Sequence, residues 1–300
     1  MASTRSQPCE ALRRQGYQFF GEGSSAALKP CLWCKKALRG GEKCYKHQFY
    51  GIESHRCVQM TPTLRCNQRC LFCWRSFEHA YPGERDCTPA EICERLLPLQ
   101  KRALSGYKPS PYVTPERFAE ALQPRHVAIS LSGEPTLYPF LPELIDALGG
   151  KGFSTFLVSN GTNPDVLSQC RPFQTYVSLT APDRETYLAL CRPEEDYWDR
   201  IQESLDLLGK RRSAVRITLV EGYNDSDPAS YARMVQDSGA AFVEVKGYMF
   251  LGYSRKRLQR ENMPSFAHVK KFAEEIARIS SYRFRDENQA SRVVCLEREG

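Results

Sequence analysis

Cys66, Cys70 and Cys73 stand in the stretch Thr63-Leu-Arg-Cys-Asn-Gln-Arg-Cys-Leu-Phe-Cys-Trp-Arg75 with C-x3-C-x2-C spacing. Three thiolates this close can wrap one cube of iron and sulfur. A 4Fe–4S cluster normally takes four thiolates. Three would leave one iron open to a small molecule. The alternative is a zinc knuckle, which needs a fourth ligand, and His79 stands close enough in sequence to supply it.

A second cysteine set precedes the first. Cys31, Cys44 and Cys57 recur at intervals of thirteen, with Cys34 among them. This set could hold another open-sided iron–sulfur cluster. A zinc site built on Cys31 and Cys34 and completed by Cys44, Cys57 or His55 fits the spacing equally. Local propensity around Gly40-Gly41 is poor, so a metal is the expected organiser. Lys35, Lys36, Arg39, Lys43, Lys46 and Arg56 surround these cysteines, either to meet phosphate or to balance an anionic cluster.

The thiols need a scaffold, and the chain beyond residue 57 reads as strand, loop and helix repeated. Expected strands are 58–64, 126–132, 153–159, 175–180, 214–220 and 241–250. Helices are expected over 88–104 (Thr88 as N-cap, Pro89 at the first position), 115–122, 141–148, around Val166, and over 183–190, 195–209, 228–237 and 265–279. Strands that alternate with helices pair in parallel through right-handed crossovers. Six such units predict an α/β fold, an open partial (β/α)6 barrel with a cysteine-rich N-terminal extension. Sites in barrels lie at the C-terminal ends of the strands. That rule groups Cys66, Cys70 and Cys73 with Gly133, Glu134, Asn160, Ser178 or Thr180, the Glu221–Asn224 turn, and Lys246. The expected division is a loosely packed lead-in over 1–29, a cluster segment over 30–57, the barrel over 58–280, and an extension over 281–300 that adds one or two strands.

The bulk numbers agree with a reduced, globular protein. The chain has 300 residues, 41% of them hydrophobic, and a net charge of +7, which permits a polyanionic partner. No stretch of about 20 apolar residues occurs and the N-terminus lacks a signal-peptide shape, so no membrane span and a cytoplasmic location are expected. Thirteen cysteines, odd in number and concentrated early, argue for metal over disulfides.

The C-x3-C-x2-C loop resembles the signature of the radical SAM superfamily, and Ser132-Gly133-Glu134-Pro135 resembles its second-strand motif. The resemblance implies that S-adenosyl-L-methionine chelates the open iron, with Phe72 near the adenine. Gly133 and Glu134 would lie at the methionine ammonium, and Asn160 and Ser178 at the ribose and carboxylate. An electron would then break the carbon–sulfur bond, and the 5′-deoxyadenosyl radical would take a hydrogen from the substrate. A closer resemblance is carried by Cys31-Leu-Trp-Cys-Lys-Lys, Cys44-Tyr-Lys-His, Ser54-His-Arg-Cys57, the Gln59–Arg75 stretch, Val177–Pro182, Val245–Met249 and Gly252-Tyr-Ser254. These look like the 4-demethylwyosine synthases, over residues 30 to 280. That family implies two 4Fe–4S clusters, an auxiliary one on Cys31, Cys44 and Cys57 and a radical one on Cys66, Cys70 and Cys73. Cys34 falls outside its ligand trio.

The implied substrate is tRNA-Phe carrying N1-methylguanosine 3′ of the anticodon, with pyruvate donating two carbons. The resemblance is to the stand-alone archaeal form. It implies a monomer served by an external flavodoxin- or ferredoxin-like electron donor. Pyruvate would be held by a lysine Schiff base, with Lys246 first and Lys151 second, or by the auxiliary cluster, which is the preferred route. RNA contact is expected from Lys35, Lys36, Lys43, Lys46, Arg255, Lys256, Arg257 and Arg260, with Tyr248 and Tyr253 available for base stacking. The target base would have to turn out of its loop to react. Two alternatives remain: a radical SAM enzyme with an auxiliary cluster acting on another substrate, such as a peptide, and a zinc-bearing RNA-binding module.

Overall fold

The computed structural model describes residues 7–77 and 85–299. In chain order its elements are α1 (Gln7–Arg14), β1 (Gln18–Phe19), β2 (Ala27–Leu28), α2 (Leu32–Leu38), α3 (Tyr45–Tyr50), β3 (Cys57–Thr61), α4 (Pro89–Leu104), α5 (Pro115–Ala121) and β4 (His126–Ile129). There follow α6 (Leu141–Gly150), β5 (Ser154–Ser159), α7 (Pro164–Gln169), β6 (Gln174–Ser178), α8 (Arg184–Cys191), α9 (Trp198–Asp206) and β7 (Ser213–Leu219). The last elements are α10 (Pro228–Ser238), β8 (Phe242–Gly247), α11 (Phe266–Arg278), β9 (Tyr282–Asn288) and β10 (Val293–Arg298).

The described residues fall into two compact units, one of 7–66, 85–157 and 169–173, the other of 67–77, 158–168 and 174–299. In the first, β3 pairs in parallel with β4, and β4 with β5. Val58, Met60, Val127, Ile129, Phe156 and Leu157 are buried there, each such side chain contributing about 1.5–3 kcal/mol by leaving water. Helix α4 opens on a complete capping box: Thr88 accepts from the Glu91 amide while the Glu91 carboxylate accepts from the Thr88 amide.

Within the lead-in, residues 17–28 are packed. Strand β2 pairs antiparallel with both β1 and β3, and Tyr17, Phe20, Ala26, Ala27 and Leu28 are buried. Its apolar residues come in pieces too short to show a period, which is why it reads as loop. The 30–57 segment also has more structure than its propensity suggests, in α2, α3 and a 3-10 turn at Ser54–Arg56. The first parallel strand ends at Thr61, earlier than expected, and the chain then turns directly into the cysteine loop.

In the second unit β6 pairs in parallel with β7, and β7 with β8. The C-terminal extension forms β9 and β10, with β10 antiparallel to both β8 and β9. Helix α11 buries Val269, Phe272, Ala273 and Ile276, while Ile279, the last residue of the expected helix, lies beyond its end and is exposed.

Candidate active site

The auxiliary cysteines lie wholly in the first unit, each at the start of an element. Cys31 caps α2, Cys44 caps α3 and Cys57 opens β3. All three are half-buried. Burial, and then the nearby Cys31, Cys44 and Cys34 thiols, push the Cys57 thiol well up, while Lys46 pulls it down. The Cys31 thiol is also raised, first by burial, with Cys44 adding to the rise and Lys46 opposing it. The thiols therefore feel one another in a poorly solvated place where three thiolates repel, and a cationic iron cluster is the kind of group that relieves this.

Of the zinc ligands offered by the spacing, one is engaged elsewhere and another stays beside the trio. His55 Nε2 meets Glu120 Oε2 at 2.8 Å. Cys34 is fully buried among Leu38, Leu104, Val113 and Ala121, and its amide donates to Cys31 Sγ at 3.3 Å. Among the described residues no three His, Cys, Asp or Glu side chains are grouped about a single ion. His79 lies outside the described residues.

Lys46 is the main surprise of this segment. Expected at an RNA surface, it is 9% exposed, with its ammonium 5.3 Å from the centre of the Phe156 ring and within electrostatic reach of Cys31 and Cys57. A lysine in a basic run reads as solvated. The missed signal was its short helix, where Tyr45 and Phe49 are also buried and one turn must turn inward. Of the other lysines, Lys36 pairs with Glu42 at 2.7 Å, and exposed Lys43 reaches His47 at 3.2 Å. Lys35 is half-buried.

The cysteine loop follows β3. Its incoming backbone is cradled in the first unit. Gly133 has a φ of +69°, and a Cβ there would stand 2.4 Å from the Thr63 carbonyl and 2.6 Å from that of Arg65. The Glu134 amide donates to Arg65 O at 2.7 Å. The Glu134 carboxylate, expected at the cofactor ammonium, is buried and accepts from the amide and hydroxyl of Thr136 at 3.0 and 2.8 Å. It shapes its own turn, which in turn presents Gly133.

The outgoing part of the loop is fixed within the second unit. The Arg69 amide donates to Cys191 O and the Leu71 amide to Leu190 O, both at 2.9 Å. Asn160, expected at the ribose, donates to Asn67 Oδ1 at 2.9 Å and accepts from Thr162, so it braces the loop. Phe72 packs against Leu71, Leu190, Val220, Tyr248 and Leu258. Ser178 ends β6, half-buried.

Arg257 is a second correction. Rather than facing phosphate, its guanidinium donates to Leu71 O at 3.2 Å, to Cys73 O and to Arg75 O at 3.1 Å, and lies 4.1 Å from the centre of the Phe77 ring. The fork of one arginine can satisfy several loop carbonyls at once, which a lysine cannot. Gly252 and Tyr253 press on the same stretch: the Tyr253 amide donates to Trp74 O at 2.9 Å, and a Cβ on Gly252 would meet that oxygen. Arg255, Lys256 and Arg260 stay exposed. Tyr248, expected to stack on a base, is buried with its hydroxyl on Ser254. Tyr253 is half-buried with the Lys256 ammonium over its ring.

Of the two lysines expected to hold pyruvate, Lys246 lies near the end of β8 and Lys151 precedes β5. Lys246 donates to Ser291 O at 2.5 Å. The neighbouring Glu244 is bound by Arg216 at 2.7 Å. Lys151 is exposed at the C-cap of α6, before the entrance of β5 and so at the wrong end of that strand.

Parallel strand–helix units carrying a three-cysteine loop at the exit of the first parallel strand define a radical SAM protein, and the radical SAM superfamily profile matches residues 60–235. The profile for wyosine base formation matches residues 237–298. The chain is 44% identical to the tRNA 4-demethylwyosine synthase of Pyrococcus horikoshii, over 97% of this chain and 88% of that one. It is 41% identical to that of Methanocaldococcus jannaschii, over 96% and 94%. The solved structure of TYW1 with a lysine–pyruvate adduct bound is similar at a TM-score of 0.89 and 40% identity, covering 97% of this chain and 95% of that one. The chain belongs to the S-adenosyl-L-methionine-dependent tRNA 4-demethylwyosine synthases, a family of radical SAM enzymes. No described helix is long and apolar enough to cross a membrane.

Proposed function

We propose that this enzyme converts N1-methylguanosine beside the anticodon of tRNA-Phe to 4-demethylwyosine, using S-adenosyl-L-methionine and carbons of pyruvate. Family membership across nearly the whole chain carries the reading. Cys66, Cys70 and Cys73 would hold the radical cluster, and Cys31, Cys44 and Cys57 an auxiliary one. When bound, the radical cluster supplies reductive cleavage of S-adenosyl-L-methionine and hence hydrogen abstraction from the N-methyl group. The chain's own part is to hold the substrates in register and keep water away.

Pyruvate is assigned to Lys46. TYW1 has been solved with a lysine–pyruvate adduct, which favours the Schiff-base route over chelation alone for this chain as well. Buried lysines are the ones that serve as such nucleophiles, and Lys46 is the buried lysine beside the auxiliary thiols. Exposed Arg255, Lys256 and Arg260 suit phosphate contact. An external flavodoxin- or ferredoxin-like protein would supply the electron, and a cytoplasmic monomer is the working form.

The test is an anaerobic assay of the reconstituted enzyme with tRNA-Phe bearing N1-methylguanosine, S-adenosyl-L-methionine, a reductant and pyruvate labelled at its second and third carbons. The label is expected in the tricyclic nucleoside. Release of 5′-deoxyadenosine without a new nucleoside would leave a radical SAM enzyme and remove this substrate.

A further inference from the structure

A cleft of about 570 Å³ in the second unit is lined by Arg69, Phe77, Arg192, Pro193 and Glu194. Its volume falls within the range of small-ligand sites. One wall is the cysteine loop itself, since Arg69 lies between Cys66 and Cys70. The opposite wall is the chain leaving α8, joined to the loop by backbone bonds from Arg69 to Cys191 and Arg192, from Leu71 to Leu190, and from Glu194 to Asn67. The cleft is therefore rigid along the edge where it borders the cluster ligands.

Arg192 sits in the left-handed region, with a φ of 44°, at the C-cap of α8. A non-glycine residue there is strained, and glycine is the usual occupant of a helix end of this kind. Helix termination alone does not require an arginine. Among the described residues neither Arg69 nor Arg192 is in an ion pair, and both are exposed at the cleft. Backbone strain retained at a cleft whose two arginines have no ion-pair partner among the described residues points to a role for the side chain.

We propose that this cleft is a ribonucleotide subsite that grips the strand flanking the target base, a reading that rests on tRNA being the substrate. Arg69 and Arg192 take a phosphodiester. Glu194 accepts a hydrogen bond from a ribose 2′-hydroxyl, the group that separates RNA from DNA. Phe77, already backed by the Arg257 guanidinium, offers its ring to a base. The subsite places the RNA against the loop that carries Cys70 and Cys73, so binding and positioning are one event.

Arg192→Gly tests this cleanly, because it removes the cation and relieves the strained backbone together. Affinity for tRNA would be measured on the reconstituted enzyme between 50 and 200 mM salt, a window in which phosphate contacts are read. The variant is expected to resist denaturant at least as well as wild type. Its tRNA affinity should be about tenfold weaker, and its salt slope shallower by about 0.7. Arg184→Gln, which removes an exposed arginine paired with Asp196 and Asp199, should leave affinity and slope unchanged. Wild-type affinity and slope in Arg192→Gly would overturn the subsite while leaving the tRNA reading intact. Weaker binding of S-adenosyl-L-methionine in place of tRNA would overturn it too, assigning the guanidinium to a carboxylate. A wild-type enzyme that does not bind tRNA would remove the tRNA reading and the subsite together.

Discussion

Lys46→Arg is expected to lower formation of the tricyclic nucleoside at least about a hundredfold, the scale of losing the placement of a reactant, while iron content stays at the wild-type level. Arginine keeps the positive charge that acts on the Cys31 and Cys57 thiols. It cannot condense with a carbonyl, because its guanidinium does not lose its proton in proteins. The substitution thus separates electrostatic support of the thiols from nucleophilic capture of pyruvate. In the proposed capture a neutral amine would add to the carbonyl carbon, water would leave, and an imine would form. Borohydride then delivers hydride to the imine carbon and leaves a stable secondary amine. Wild-type enzyme treated with pyruvate and borohydride should carry this mass increment on the peptide containing Lys46, and Lys46→Arg should carry none. An increment on Lys246 or Lys151, with Lys46 unmodified, would move the nucleophile there.

Gly133→Ala is expected to destabilise the metal-free protein by about 2–5 kcal/mol. About 1–2 kcal/mol comes from the left-handed backbone and about 1–3 from overpacking. The added Cβ would meet the Thr63 and Arg65 carbonyls at 2.4 and 2.6 Å, and these are backbone atoms with no rotamer to escape into. The protein can only move the stretch that delivers Cys66, so affinity for S-adenosyl-L-methionine should fall with stability. Denaturant unfolding of the wild type and the variant measures the first effect. A difference below about 1 kcal/mol would show that the second-strand turn does not bear on the cysteine loop.

The parallel strands were legible because strands such as β4, with Val127, Ala128 and Ile129 buried, and β8, with Val243 and Val245 buried, set apolar residues between turn signals. The cysteine spacings were legible because a cluster of the kind proposed takes thiolates and little else. What escaped was burial that contradicts residue type. Lys46 and Arg257 each stand in a basic run, and nothing in such a run separates the cation that turns inward from its exposed neighbours. Glu134 and Asn160 were correctly placed at strand exits, but their side chains are bound by Thr136 and Asn67. A carboxylate or amide near a loop braces that loop as readily as it meets a ligand. The packed lead-in was hidden because β1 and β2 are two residues each, stabilised by tertiary pairing rather than by local pattern.

The central claim is two clusters on two cysteine trios. It is tested most directly by anaerobic iron and sulfide content after reconstitution, comparing wild type with the variant in which Cys31, Cys44 and Cys57 are all alanine. About eight irons per chain falling to about four is the expected result. Four irons in both proteins, or zinc in place of iron at the first trio, would contradict it.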